Sequence, residues 1–284
     1  MNQYSYEESV HWLRRQPEYT ETVKQCYLDE DNLAAAERFA ASDEFAAVVA
    51  LLRLDPRDGC RRQILDLGCG NGIVSYAFAC LGNEVSALDP DLSDDVGLRA
   101  AERLATVVPG GSISTHHGFA EELPFGDETF DVVYTRQALH HFSDLHKGLR
   151  ECSRVLKKGG LLLATREHIV DDARQLEQFL EEHLLHKLHG GENAYPLDVY
   201  TNALEQAPFR VVRCLHHFDS VINYFPMSEE EVRHLWSSGL QNKYGVLPAK
   251  MLAGLPPAER FFRGRLSRRF DHPGRFCSFL CQKP

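Results

Sequence analysis

The chain has no apolar run of membrane-spanning length, no Cys-x-x-Cys pair, no excess of basic charge and no Gly-Lys-Ser/Thr sequence. Each absence removes a class of protein. A spanning helix needs about 20 consecutive apolar residues. The first residues, Met1 to Glu8, have neither the basic start nor the apolar core of a secretory leader, so the expected location is the cytoplasm. Eight scattered cysteines in a chain of 284 residues, long enough to bury its own core, do not suggest a disulfide framework. Lysine and arginine number 31 against 41 aspartates and glutamates, a net charge of -10. Nucleic-acid phosphates favour a basic surface, so no nucleic-acid partner is expected. Without Gly-Lys-Ser/Thr, a phosphate-binding P-loop is excluded as well.

What is present begins with Ile64-Leu65-Asp66-Leu67-Gly68-Cys69-Gly70-Asn71-Gly72, followed by Glu84-Val85-Ser86-Ala87-Leu88-Asp89. An apolar run of strand length enters a turn with glycine at every second position. Glycine takes positive φ without strain and leaves no Cβ in the way of a ligand, and the helix expected from Ile73 points its amide donors over the turn. Asp89, at the carboxyl end of the next strand, is placed to accept hydrogen bonds from two ribose hydroxyls. The pattern is G-x-G-x-G rather than the G-x-G-x-x-G of dinucleotide binders. The arrangement reads as a nucleoside cradle.

Three further motifs follow in order: Gly118-Phe119-Ala120-Glu121-Glu122-Leu123-Pro124-Phe125, Phe130-Asp131-Val132-Val133 and Arg154-Val155-Leu156-Lys157-Lys158-Gly159-Gly160. With the glycine turn and Asp89 they resemble the Rossmann-like S-adenosylmethionine-dependent methyltransferases, in the small-molecule type 11 group of ubiquinone and sterol methyltransferases. The resemblance covers roughly residues 60 to 170, and a set of motifs in order is far more specific than one glycine loop. It implies S-adenosyl-L-methionine as cofactor. It also implies that Asp66 fixes the turn, that Gly68, Gly70 and Gly72 approach the ribose and methionine moiety, and that Asp89 takes the ribose hydroxyls, with Pro90 or Asp91 beside the adenine. Where the family commonly has an aspartate after Gly118 this chain has Phe119, which leaves stacking and backbone donors near Ala120 for the adenine. Phe119 turned into the core is the other reading. The segment Thr135 to Phe142 corresponds to the family segment under the sulfonium, with Thr135, Gln137 and His140 as contacts.

Short apolar runs alternating with helical stretches predict an α/β fold, a mostly parallel sheet with helices on both faces and ligands at the carboxyl ends of its strands. Expected strands are 63–67, 84–88, 112–116, 130–135, 161–166, 210–217 and 276–282, the last two completing the seven-stranded sheet that the resemblance implies. Expected helices include 73–81, 98–107 and 145–156. Residues 1–60 read as a helical lid region, with Asp55-Pro56 as a helix stop, and 61–284 as the methyltransferase domain. Connections of about 40 and about 60 residues, at about 168–208 and 219–274, are longer than ordinary ones and are expected to form the acceptor pocket.

Methyl transfer is an in-line displacement for which alignment matters most, and a base is needed only where the acceptor carries a proton. Glu167 and His141 are the candidate proton acceptors. Arg166, Asn193 and Tyr195 are the candidate acceptor-orienting groups, and Tyr6 is the lid aromatic expected against substrate. The histidine pairs 116–117, 140–141 and 216–217 do not chelate as pairs on a strand, because neighbours there point to opposite faces. The ends of strands four and five, Thr135-Arg136 and Arg166-Glu167, make a poor oxygen cage for magnesium, so no required metal is expected. The partner is a small-molecule acceptor of polar character, and nothing in the sequence sets an oligomeric state. Two alternatives share the same cradle. One is other sulfonium chemistry, aminocarboxypropyl transfer or cyclisation releasing methylthioadenosine, and the other is a non-catalytic cofactor-binding regulator.

Overall fold

Seven strands form one sheet in the computed structural model, which describes residues 4–54, 59–245 and 255–284. They are β1 (Gln63–Leu67), β2 (Glu84–Asp89), β3 (Ser112–His117), β4 (Phe130–Arg136), β5 (Leu156–Ile169), β6 (Arg210–Leu215) and β7 (Arg275–Gln282). Their spatial order is 3-2-1-4-5-7-6, and β7 alone runs antiparallel to its neighbours β5 and β6. The central strands are apolar on both faces. Ile64, Leu65, Val133, Leu162 and Leu163 have no exposed surface, as expected for strands covered by helices on each side. Each such side chain contributes roughly 1.5–3 kcal/mol on burial.

The N-terminal region is helical as expected, but divided into α1 (Tyr6–Arg14), α2 (Thr20–Gln25), α3 (Asn32–Ala40) and α4 (Asp43–Leu52), with a short turn at Pro17–Tyr19. Sequence signals set these starts. Ser5 and Glu8 form a reciprocal capping box on α1, and the Ser42 hydroxyl caps α4 by accepting from the Phe45 amide. The helix stop expected at Asp55-Pro56 lies outside the described residues. Between the parallel strands run α5 (Ile73–Cys80), α6 (Leu98–Ala105) and α7 (Leu145–Val155). The connection from β5 to β6 holds α8 (Ala173–Glu182), α9 (Leu184–His189) and α10 (Leu197–Gln206), and that from β6 to β7 holds α11 (Val221–Tyr224), α12 (Glu229–Tyr244) and the helix Pro256–Arg269.

Period-two alternation sends alternate residues of each strand to two cores. Leu65, Val133, Leu162 and Phe279 pack with Leu149 of α7 and Tyr200 and Leu204 of α10. Ile64, Val132, Leu163 and Leu280 pack with Phe39, Phe45, Val48 and Phe78 from α3, α4 and α5. β1 has β2 on one side and β4 on the other, so the strand order reverses there and a crevice opens at the carboxyl ends. Among the described residues no helix is long and apolar enough to cross a membrane.

Two strand bounds depart from expectation. β5 runs for 14 residues, because it already pairs with β4 at Leu156, ahead of an irregularity, and Glu167 to Ile169 go on pairing with β7 after a register break beyond Ala164. β6 ends at Leu215, so His216 and His217 lie beyond the sheet.

Candidate functional site

The crevice is a cavity of about 520 Å³, within the range of ligand pockets. On the β1–β2 side its wall is mostly backbone. Gly68 leaves β1 with φ 73°, its amide donates to the Leu88 carbonyl at 2.8 Å, and a Cβ there would stand 2.7 Å from the Ala138 Cβ. Gly70 has φ 50° and donates its amide to Asp89 Oδ2 at 2.8 Å, while Asp89 Oδ1 accepts from the Asp91 amide at 2.8 Å. Burial raises the Asp89 pKa against these two bonds. Asp66 accepts from Ser75 Oγ at 2.6 Å, and its burial pushes the carboxyl up to about 7. Asp66, Gly68, Gly70, Asp89, Pro90, Phe119 and Ala120 all line the cavity. Phe119 is 60% exposed at the rim and does not turn into the core.

Gly72 does not belong to this wall. A Cβ there would lie 2.6 Å from the Ala101 Cβ, so glycine is needed where α5 passes α6. Thr135 is also displaced from its expected role. It is fully buried in β4 and absent from the lining, and strand alternation brings Arg136 to the wall instead. Gln137 and His140 reach the cavity as expected. Gln137 takes φ 54° after the strand, its amide donates to the Thr165 carbonyl at 2.9 Å, and its Oε1 accepts from Arg136 Nη1 at 2.9 Å.

Arg136 ties the N-terminal helices to this point. Its Nε and Nη2 donate to the fully buried Glu44 of α4 at 2.8 and 3.2 Å. Asn32 donates to the Asn71 carbonyl at 2.8 Å, and Asn71 returns a bond to the Tyr27 carbonyl at 2.9 Å. Tyr6 lines the cavity with its ring centroid 5.1 Å from that of His189, and α1 packs its Val10 and Leu13 in one cluster with Leu184, Leu185 and Leu188 of α9.

On the β4–β5 side the wall is made of titratable side chains. His140 is buried, with Nδ1 2.8 Å from Glu167 Oε2 and Nε2 3.6 Å from Glu192 Oε2. Burial opposes its charge, but the two carboxylates outweigh burial and lift the pKa to about 9. Burial likewise opposes the Glu192 charge, and His140, His183 and His141 hold the carboxyl down at about 2. His141 sets Nδ1 3.1 Å from the Gly191 carbonyl and Nε2 3.9 Å from Glu192 Oε2, and burial lowers its pKa. His168 lies with Nδ1 2.8 Å from the Gly274 carbonyl, and burial pulls its pKa down to about 3.

Four expected acceptor-side groups stand elsewhere. Glu167 is fully buried and accepts from the amides of Ala138 and Leu139 at 3.2 Å and His140 at 3.3 Å, besides the His140 ring. Those donors occupy its oxygens inside the protein, so it shapes the 138–140 turn and does not line the cavity. Arg166, held at φ 57°, donates Nη1 to the carbonyls of Ile222 and Phe225 at 2.9 and 3.0 Å and lies 4.2 Å from the Phe276 ring centroid, away from the lining. Tyr195 packs against Tyr200 with centroids 5.6 Å apart, and Asn193 is half-buried; neither lines the cavity. Sequence reasoning did not single out His183, Glu192 or Arg136 as wall residues. The recurrence of histidine at 183, 186 and 189, one helical stripe before Glu192, is a signal that points there.

Residues 65–164 match the model of a family described as methyltransferase domain, type 11. A ubiquinone biosynthesis O-methyltransferase of Rhizobium leguminosarum bv. trifolii is 30% identical over 151 residues, 53% of this chain and 58% of the relative. The uncharacterized methyltransferase YcgJ of Bacillus subtilis is 32% identical over 130 residues, 43% of this chain and 47% of that one. The chain thus spans about half the length of the curated relatives it matches. Among solved structures, the cyclase SpnF has a TM-score of 0.56 at 21% identity, over 90% of this chain and 84% of that one. A putative methyltransferase from Bacillus halodurans has a TM-score of 0.53 at 22% identity, over 86% of this chain and 100% of that one. These structural likenesses speak for the fold.

Proposed function

We propose that the chain, whose residues 65–164 match a methyltransferase domain, is a class I S-adenosylmethionine-dependent methyltransferase of the type 11 group and that it methylates a small polar metabolite. The observation that carries this reading is one cavity with two unlike walls, a glycine-and-carboxylate cradle on the β1–β2 side and histidines with Glu192 on the other. The cradle suits S-adenosylmethionine. The bare backbone of Gly68 and Gly70 along the wall, and a carboxylate at the end of β2, fit a ribose and the chain attached to it. When bound, the cofactor supplies a methyl carbon on positive sulfur and leaves as S-adenosylhomocysteine.

In this reading Asp89 accepts from the ribose hydroxyls, the backbone of Gly68 and Gly70 borders the sugar and methionine chain, Asp66 holds the turn through Ser75, and Phe119 with Ala120 borders the adenine. Tyr6 of α1, with Cys26 and Leu28 after α2, forms part of the wall and shields that side of the cavity from water. His141 takes the acceptor's proton at Nε2, which keeps its lone pair when Nδ1 donates to the Gly191 carbonyl. Alignment of the two reactants supplies most of the acceleration, roughly 7–11 kcal/mol. A polar wall and a net charge of -10 favour a small polar acceptor over nucleic acid.

The test is product analysis. The chain is incubated with S-adenosylmethionine and a fractionated metabolite extract, and S-adenosylhomocysteine with a methylated metabolite is the expected pair. Methylthioadenosine would replace this reading with attack on the aminobutyrate chain or cyclisation, and cofactor binding with neither product would make the protein a sensor.

A further inference from the structure

The geometry points to a divalent transition-metal site made by His168, His183 and Glu192 in the acceptor-side wall of the cavity. One ligand atom from each of the three lies within 4.8 Å of the others. His168 is buried, and donating Nδ1–H to the Gly274 carbonyl at 2.8 Å leaves Nε2 bare, the tautomer a metal-binding imidazole needs. His183 sits at the start of α9 with Nδ1 4.0 Å from Glu192 Oε1, accepting only a long bond of 3.4 Å from the His186 amide. Glu192 is aimed by the groups behind it. Its other oxygen, Oε2, lies 3.6 Å from His140 Nε2, and His140 Nδ1 is fixed at 2.8 Å by the buried Glu167. Carboxylates that bind a metal are themselves held by neighbours behind them, as Glu192 is by this pair.

Two imidazoles and one carboxylate select the class of ion. They suit zinc, cobalt or ferrous iron, whereas magnesium and calcium want oxygen ligands throughout. Bonds of about 2 Å to a common ion require the ligand atoms to close to about 3 Å from one another, a movement available to His183 at a helix start and Glu192 in a loop. Three protein ligands leave a coordination position open, and all three residues line the cavity, so that position faces the acceptor. The inference rests on the reading of the cavity as an acceptor pocket only for this role: the ion would hold an acceptor oxygen and ease loss of its proton. It departs from the expectation of no required metal, which weighed oxygen ligands at the ends of β4 and β5. The ligands come instead from residues 168, 183 and 192, which only the fold brings together.

The test uses the full chain stripped by a chelator. Zinc(II) titrated in a calorimeter is expected to bind, magnesium is not, and cobalt(II) is expected to give the visible absorption of a low-symmetry nitrogen and oxygen site. Glu192→Gln and His183→Gln, both checked for folding by circular dichroism, should each weaken zinc by more than the roughly 100-fold lost when a group behind a ligand is removed. His168→Gln should do the same if it folds. A control, His116→Gln on β3, should leave zinc affinity unchanged. Wild-type affinity in Glu192→Gln and His183→Gln, or no zinc binding by the wild type, overturns the inference. S-Adenosylhomocysteine binding by the metal-free chain is measured alongside. Cofactor binding without zinc binding sinks the metal site alone, and zinc binding without cofactor binding sinks the methyl-transfer reading alone.

Discussion

On the β1–β2 side the cavity is walled by backbone held in left-handed conformations, with Asp66 and Asp89 bonded to Ser75 and to the Gly70 and Asp91 amides. On the β4–β5 side it is walled by imidazoles and a carboxylate, with His140 and His141 3.6 and 3.9 Å from Glu192. The first wall is built largely from a few consecutive residues at the end of β1, with Asp89 from the neighbouring strand. The second wall gathers titratable groups, and it is assembled from the turn after β4, the end of β5 and the connection that carries α9. One side is therefore sensitive to a single methyl group and the other to a single proton.

The harshest way to test that difference is Gly68→Val. A β-branched side chain at φ 73°, with its Cβ 2.7 Å from Ala138, cannot coexist with the present turn. Binding of S-adenosylhomocysteine should fall by at least about 100-fold, about 2.7 kcal/mol. Gly82→Ala is the matched control, since its φ of 86° is as unfavourable but nothing stands within 4 Å of the added Cβ. It should cost about 1–2 kcal/mol of stability and leave cofactor affinity unchanged. Equal affinities for the two variants would mean that the turn is not a close cradle. On stability the comparable variant is Glu44→Ala, which leaves the guanidinium of Arg136 in a buried place without its carboxylate. A loss of about 3–5 kcal/mol is expected in urea unfolding. A loss below 1 kcal/mol would show that the N-terminal helices are not fastened to the site through this pair.

Asp66 gives the cradle its own proton dependence, in the opposite sense to an ion-paired carboxylate. Burial raises its folded pKa to about 7, above the ordinary 3.8, so the folded state favours the protonated form. The stability it contributes is present below about pH 4, is lost as pH rises toward 7, and is level above that. At about 1.4 kcal/mol per pH unit the full loss is on the order of 4 kcal/mol. Asp66→Asn, which keeps a bond to Ser75, should flatten the stability profile between pH 4 and 7. A slope equal to that of the wild type would move the titration to another group.

The sheet and the cradle were legible because their signals are local. β1 runs from Gln63 to Leu67, as its apolar run suggests, and glycine at 68 and 70 lies where the spacing puts it. Gly72 shows how far such a motif goes: the residue type is required, but by the helix packing at Ala101 rather than by a ligand. The acceptor side was less legible for a physical reason. Arg166, Glu167 and His168 are consecutive, yet the register break beside β7 sends them to three environments, among aromatic rings, beneath the 138–140 turn and into the cavity. Sequence adjacency marked the neighbourhood, and only the fold assigned each residue its side.

Glu167 and His141 give the finest comparison, because both were candidate proton acceptors and the structure sets them on opposite sides of His140. In Glu167→Gln an amide nitrogen replaces an oxygen among the amides of 138–140, so at least one buried donor loses its acceptor. That should cost about 1–3 kcal/mol of stability. His141 has a side chain 43% exposed and a bond to a loop carbonyl, so His141→Gln should change stability by no more than about 0.5 kcal/mol. Its effect belongs to turnover: with a hydroxyl acceptor, kcat should fall by roughly 100- to 10,000-fold while cofactor affinity is unchanged. Denaturant unfolding and single-turnover kinetics on both variants decide the matter. If Glu167→Gln kept full stability and lost turnover, the buried carboxylate would be exchanging protons after all, and the division of the cavity into a shape-reading wall and a proton-moving wall would have to be extended one layer inward.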